Sequence, residues 1–292
     1  CHGPGEAHVA WAKTPDEFRQ SQWLDVDASG VLSTYRKDDA ATQLNLCAGC
    51  HSRREPLGSD SPQPGEPYDD HYRLSLLRDG LYFPDGQIRD EVYVYGSFLQ
   101  SRMYAAGVQC TNCHDAHSYR LKAEGNALCT RCHNPQGNPA FPTLKKDDYD
   151  TAKHHFHKQG SEGAACRNCH MPERNYMIVD GRRDHSFRVP RPDLGVKTGA
   201  PDPCTQCHRG KTAAWAEKEL RARFPEGRSG DPHFGELFAA LDTAPDKEII
   251  KQLVNLAKDQ TKPAIIRASA VQRLAPMADT GLAEKLSLLL DD

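Results

Sequence analysis

No uninterrupted apolar stretch in this 292-residue chain is long enough to span a bilayer, which excludes a transmembrane helix. Only 38% of the residues are hydrophobic and the mean hydropathy is -0.72, which would ordinarily mean a thin core. Methionine and tryptophan are scarce, at 4 and 3 residues. The first residues contain no charged n-region, apolar h-region or cleavage site, so any export signal is expected upstream. No lone cysteine remains for a disulfide once the motifs are counted.

Those motifs dominate what is present. C-x-x-C-H occurs five times, at 47–51, 110–114, 129–133, 166–170 and 204–208, and Cys1-His2 reads as the tail of a sixth. Five pairs plus one account for all 11 cysteines: Cys1, Cys47, Cys50, Cys110, Cys113, Cys129, Cys132, Cys166, Cys169, Cys204 and Cys207. In c-type haem attachment two thiols add across the two vinyl groups of one porphyrin, and the histidine after the second cysteine ligates the iron. Paired C-x-x-C knuckles also build zinc sites, but zinc gives no reason for histidine after every second cysteine. A disulfide framework would not repeat one short spacing so rigidly. The reading is haem c, six groups held wholly or partly by this chain, with more expected upstream.

Haem of this kind is added after export, so the expected location is periplasmic or extracellular. The porphyrins would supply much of the apolar interior, with modest regular structure and many turns around them; 20 prolines and 22 glycines fit that. Formal charge is -3, and the haem propionates would make the loaded protein more acidic by about six to twelve charges, which argues against nucleic acid as a partner.

The expected fold is mainly α with much irregular structure, a multihaem cytochrome fold over residues 1–210 followed by a small α-helical region at 211–292. A short helical stretch carries His8 and Trp11, 52–67 has loop composition, and the apolar period over 91–106 predicts a helix stopped by Gly107. Extended runs around Tyr176 and His185 predict a hairpin turning at Asp180-Gly181. Beyond Lys211, helices are expected over 212–224, 234–241, 245–258, 263–274 and 282–290, with Thr243, Thr261 and Thr280 as N-caps. Their lengths suit either HEAT-type repeats or an ordinary bundle.

Of 14 histidines, six are proximal: His2, His51, His114, His133, His170 and His208. Eight remain for the opposite iron faces, enough for every haem to be bis-histidine. His117, three residues after His114, is placed to reach a neighbouring porphyrin. Crowding in His154-His155-Phe156-His157 leaves room for two ligands, taken as His155 and His157, and the hairpin would hold His185. His233 is the first choice for a non-ligand, and Met103, Met171 and Met177 are read as core or poorly placed.

Four segments, Cys-His-Gly-Pro-Gly-Glu-Ala-His-Val at 1–9, Tyr-Gly-Ser-Phe-Leu-Gln-Ser-Arg-Met at 95–103, Cys-Thr-Asn-Cys-His-Asp-Ala-His-Ser at 110–118 and Asp-His-Ser-Phe-Arg-Val-Pro-Arg-Pro at 184–192, resemble multihaem cytochromes c with C-terminal tetratricopeptide or HEAT repeats. Those are similar in haem packing to the nitrite reductase and hydroxylamine oxidoreductase superfamily. The resemblance covers residues 1 to 215, implies an octahaem protein, and implies that His8, His71, His117, a member of the 154–157 cluster and His185 are distal ligands. The C-x-x-C-K motif of the nitrite reductases is missing from this sequence.

These readings favour electron transfer between redox partner proteins or copies of the chain itself, in the strongest form as a filament subunit. The alternative is a haem oxidoreductase acting on nitrite, hydroxylamine or a sulfur oxyanion at one five-coordinate haem. A third reading makes the helical tail a docking module.

Overall fold

Cysteines three apart lie on one face of a helical turn, so a C-x-x-C segment that coils presents both thiols in the same direction. The computed structural model, which describes residues 5–15, 17, 40–59, 62–64, 66–287 and 289, coils the C-x-x-C segments in this way. The motif at 47–51 ends the helix Ala40–His51, and the others fall in or beside the short helices Cys110–Cys113, Ala127–Thr130, Cys166–His170 and Pro203–Cys207. Local bonds start these turns. The Asp202 carboxylate accepts the Thr205 N–H at 3.0 Å with Pro203 in the first turn, and the Asn112 side chain accepts the Gln109 N–H at 2.6 Å. Cys1 and His2 lie outside the described residues.

Strands are short and paired antiparallel in twos: β1 (Arg54–Pro56) with β2 (Tyr72–Leu74), β3 (His114–Asp115) with β4 (Arg120–Leu121), and β5 (Glu173–Tyr176) with β6 (Asp180–Arg183). The last hairpin differs from the sequence expectation. Asp180 and Gly181 are strand residues opposite Tyr176 and Asn175, and the turn is Met177–Ile178–Val179, with Met177 and Ile178 at φ 51° and 73°. Tertiary anchors set this register. Tyr176 is buried with its hydroxyl donated to the Ile88 carbonyl at 3.3 Å, and Arg182 reaches Glu91 at 2.7 Å. The apolar turn is left exposed.

The expected helix over 91–106 is instead two short helices, Tyr95–Phe98 and Arg102–Ala105, because the Ser101 hydroxyl accepts the Tyr104 N–H at 3.0 Å and starts a new helix. Beyond residue 211 the helices are Ala213–Arg223, Phe234–Thr243, Lys247–Lys258, Ala264–Leu274 and Thr280–Ser287. Three caps differ from expectation. Thr243 is the last residue of a helix and bonds back to the Ala239 carbonyl, while Asp246 accepts the Ile249 N–H at 2.8 Å. Pro263 rather than Thr261 stands at the cap position of the fourth helix, and Asp279 rather than Thr280 accepts the Leu282 N–H at 2.7 Å.

These helices share one apolar core with the chain around 77–92: Leu77, Tyr82, Ile88 and Val92 pack with Phe238, Leu253, Ile265, Ala270 and Leu274. Ser269 accepts the Leu77 N–H at 3.0 Å, and Arg273 donates to the Leu77 carbonyl. Gly235 starts its helix so close to Asp85 that a Cβ there would lie 2.7 Å from the Asp85 Cα. Among the described residues, no helix is long and apolar enough to cross a membrane.

Candidate haem-binding site

Consecutive motifs lie side by side through their cysteines, two of the four junctions by direct contact. Cys47 and Cys110 interact thiol to thiol, which pushes Cys47 up and Cys110 down from the usual thiol range. Cys129 and Cys166 repeat that contact. Between these two pairs, Cys113 lies in electrostatic reach of Cys132, and Cys169 in reach of Cys207. The five described motifs therefore form one series in sequence order, joined alternately by first and second cysteines.

Polar staples hold two of the junctions. The Gln43 amide donates to Gln109 at 2.7 Å and Thr111 at 2.9 Å and accepts the Thr111 N–H at 2.9 Å, tying the helix of the first motif to the start of the second. The Asn126 amide donates to Asp150 at 2.7 Å and the Ala164 carbonyl at 2.9 Å and accepts the Cys166 N–H at 3.0 Å, tying the third motif to the fourth.

Three motif histidines each face another imidazole. The ring centroids of His114 and His185 are 6.4 Å apart at an interplanar angle of 24°, those of His154 and His170 are 6.2 Å apart at 9°, and those of His157 and His208 are 6.0 Å apart at 36°. A metal bonded to one nitrogen of each ring at about 2 Å puts the two centroids about 6 Å apart. The spacing thus fits an iron between the rings of each pair.

Ring orientation is fixed by bonds to main-chain carbonyls. His170 Nδ1 lies 2.7 Å from the Arg188 oxygen, His185 Nδ1 lies 2.9 Å from the Arg183 oxygen, and His157 Nδ1 bonds the His155 oxygen. Such a bond keeps the proton on Nδ1 and leaves the Nε2 lone pair for a metal. Burial also holds His114, His133, His154, His170 and His185 below the usual histidine range, in the neutral form that ligates.

The 154–157 cluster divides around Phe156, whose left-handed φ of 56° ends the helix Ala152–His155 and reverses the chain. His154 and His157 consequently face different motifs. His155 has both ring nitrogens engaged, Nδ1 by the His157 N–H at 3.2 Å and Nε2 by Gln159 at 3.1 Å. The structure therefore brings His154, rather than His155, opposite a motif histidine. Gly163 makes room for His157: a Cβ there would lie 2.3 Å from the imidazole. Neither the divided cluster nor this cradle carries a sequence signal.

The remaining histidines sit as follows. His8 stacks on Trp11 at 5.2 Å, His71 Nε2 meets the Glu66 carboxylate at 2.9 Å, and the His117 main-chain N–H donates to the Asp115 carboxylate in the β3–β4 turn. His51 is in electrostatic reach of His114 and His185, and His133 meets the Tyr149 ring edge-on at 6.1 Å. His233 lies apart from the motifs, and its Nδ1 accepts the Gly235 N–H at 3.1 Å.

Two buried donors beside His185 support the fit to haem. Among the described residues Ser186 Oγ and Arg188 Nε meet no hydrogen-bond partner, an arrangement that calls for an acceptor, and propionate carboxylates are acceptors of the right kind. Among the described residues, no group of three or more His, Cys, Asp or Glu side chains gathers as a protein-only metal cage would.

Comparison with known proteins gives a short match and a distant one. The family model of the doubled CXXCH motif matches residues 103–138, which include the second and third motifs. No curated protein matches the chain. Among solved structures, the crystal structure of the outer cell wall cytochrome OcwA is similar over 94% of this chain and 69% of that chain, with 16% identity and a TM-score of 0.43. The doubled-motif match supports a multihaem c-type cytochrome with covalently bound haem c.

Proposed function

We propose that the chain is an electron-transfer protein whose cysteines hold six haem c groups, five at the complete motifs and one at Cys1 and His2. Haem c supplies reversible one-electron chemistry when bound. The observation that carries the reading is that the described motifs neighbour one another in sequence order, by thiol contact at Cys47–Cys110 and Cys129–Cys166 and within electrostatic reach at Cys113–Cys132 and Cys169–Cys207. Electron tunnelling falls steeply with distance, so a protein that conducts must hold its redox groups in such a sequence.

The facing imidazoles supply what conduction also needs, a closed coordination sphere. His185 would complete the site of His114, His154 that of His170, and His157 that of His208. His8, His71 and His117 are our candidates for the remaining sites. With both axial positions taken by the protein, small substrates are excluded, which favours conduction over reduction of nitrite, hydroxylamine or a sulfur oxyanion. Export to the periplasm or cell exterior follows from covalent haem attachment, and the partners are redox proteins or further copies of the chain.

Low-temperature electron paramagnetic resonance and carbon monoxide difference spectra test this. The oxidised protein should give low-spin ferric signals, and carbon monoxide should leave the Soret band of the reduced protein unchanged. His185→Ala should convert one haem to high spin and admit carbon monoxide at that haem alone. Wild-type protein that binds carbon monoxide, or a His185→Ala variant that stays fully low-spin, would refute the assignment.

A further inference from the structure

The last motif of the series ends on a positively charged face. Residues 209–212 form a continuous exposed run directly after it. Trp215, on the helix Ala213–Arg223, packs on His208 with ring centroids 5.0 Å apart. The Lys211 ammonium stands 5.6 Å over the Trp215 ring. Lys218 lies one helical turn beyond Trp215, on the same side of the helix, and Arg209 directly follows His208.

The nearby acids do not cancel this charge. Glu217 is bound to Arg221 at 2.8 Å, and Glu219, within electrostatic reach of Lys211 and Lys218, is bound to Arg223. Arg209, Lys211 and Lys218 form no ion pair among the described residues. At the first motif the situation differs: Arg53 faces Asp90 at 3.4 Å, and Arg73 of the neighbouring strand is bound to Glu55. A chain of net charge -3 thus concentrates uncompensated positive charge beside one terminal motif.

We infer that Arg209, Lys211, Lys218 and Trp215 form a docking surface at which a redox partner presenting carboxylates exchanges electrons with the His208 site. The inference rests on the electron-transfer reading. Like-signed charge around an exposed redox site steers partners of the opposite sign and orients them on contact, and salt screens the attraction. The aromatic ring of Trp215 gives the surface a rigid apolar centre within a charged rim, the usual division of labour in a transient interface.

The test maps a redox-inert paramagnetic anion, hexacyanochromate(III), on the haem-loaded protein by nuclear magnetic resonance at low ionic strength. Line broadening should centre on residues 206–218 and disappear in high salt. Lys211→Glu with Lys218→Glu should abolish it, whereas Lys211→Arg with Lys218→Arg should retain it, both with unchanged haem absorbance per chain. Broadening centred elsewhere, as around Arg102 and Arg228, or unaffected by the charge reversal, would overturn the proposal. So would an absence of broadening, which would mean that these cations serve the protein's own propionates. The spectra that decide axial ligation are measured separately, so failure of the docking surface is distinct from failure of the electron-transfer reading.

Discussion

The motif segments at 40–59 and 95–210 and the helices between 234 and 287 are ordered by different means. In the helices, Phe238, Leu253, Ala270 and Leu274 are fully buried and join Leu77 and Tyr82 in one continuous apolar core. In the motif segments the contacts that join neighbouring motifs are polar. Gln43, Gln109, Asp184 and Asp202 are buried and hydrogen-bonded, whereas buried apolar side chains such as Leu44, Phe141 and Leu194 lie outside that core. The difference shows how a chain of low hydropathy can be divided. One part obtains its stability from aliphatic burial, and the other holds its cysteines and histidines in position with side-chain staples, an arrangement to which haem, as proposed above, would add apolar surface.

Withholding haem should separate the two parts most sharply. Protein produced without haem attachment should lose amide exchange protection across 40–59 and 95–210 by about tenfold or more, while 77–92 and 234–287 keep theirs. Hydrogen exchange followed by mass spectrometry reads both at once, and equal loss in the two regions would break the distinction. The complementary change is Leu253→Ala. It removes a fully buried side chain from the helical core and should cost about 2–5 kcal/mol in denaturant unfolding, with the haem spectra unaltered in the folded state.

Gly163→Ala should act in the motif stretch with a smaller effect on stability, about 1–3 kcal/mol, but a specific spectral one. Its methyl group would lie 2.3 Å from His157, so the imidazole must leave its place opposite His208. One low-spin signal should weaken and carbon monoxide should bind at one haem. Unchanged spectra would mean that His157 is not an axial ligand.

What could be read from the sequence follows the same division. Cysteine spacing is a covalent requirement, so the motifs were legible residue by residue, and helical period revealed the segments that became Lys247–Lys258 and Ala264–Leu274. Features decided by tertiary competition were not. Asp180-Gly181 is a good turn by local preference, yet the burial of Tyr176 and the Arg182 bond to Glu91 moved the turn to Met177–Val179. Asp246 displaced Thr243 as a cap by an equally local bond, a choice between two neighbouring candidates that pattern alone left open. Histidine counting offers a surplus of ligand candidates, but which ring of the 154–157 cluster faces which motif depends on the left-handed turn at Phe156, a conformation that bulky residues rarely adopt.

The smallest expected effect tests the seam between the two regions, where His233 caps the helix Phe234–Thr243 through Nδ1. Burial, reinforced by the nearby charges of Arg188, Arg191 and Lys262 and opposed by Asp193, depresses its pKa to about 3. The folded protein therefore holds His233 neutral while the unfolded chain takes up a proton below about pH 6.5. Stability from this group is fully present above that pH and declines as pH falls from about 6.5 toward 3, by at most about 1.4 kcal/mol per pH unit. His233→Asn retains a side-chain acceptor for the cap but cannot titrate. Its melting temperature should consequently fall less between pH 7 and pH 5 than that of the wild type. Parallel pH curves for the two proteins would show that His233 is protonated without cost, and that the seam is open to water rather than closed by the packing of Gly235 against Asp85.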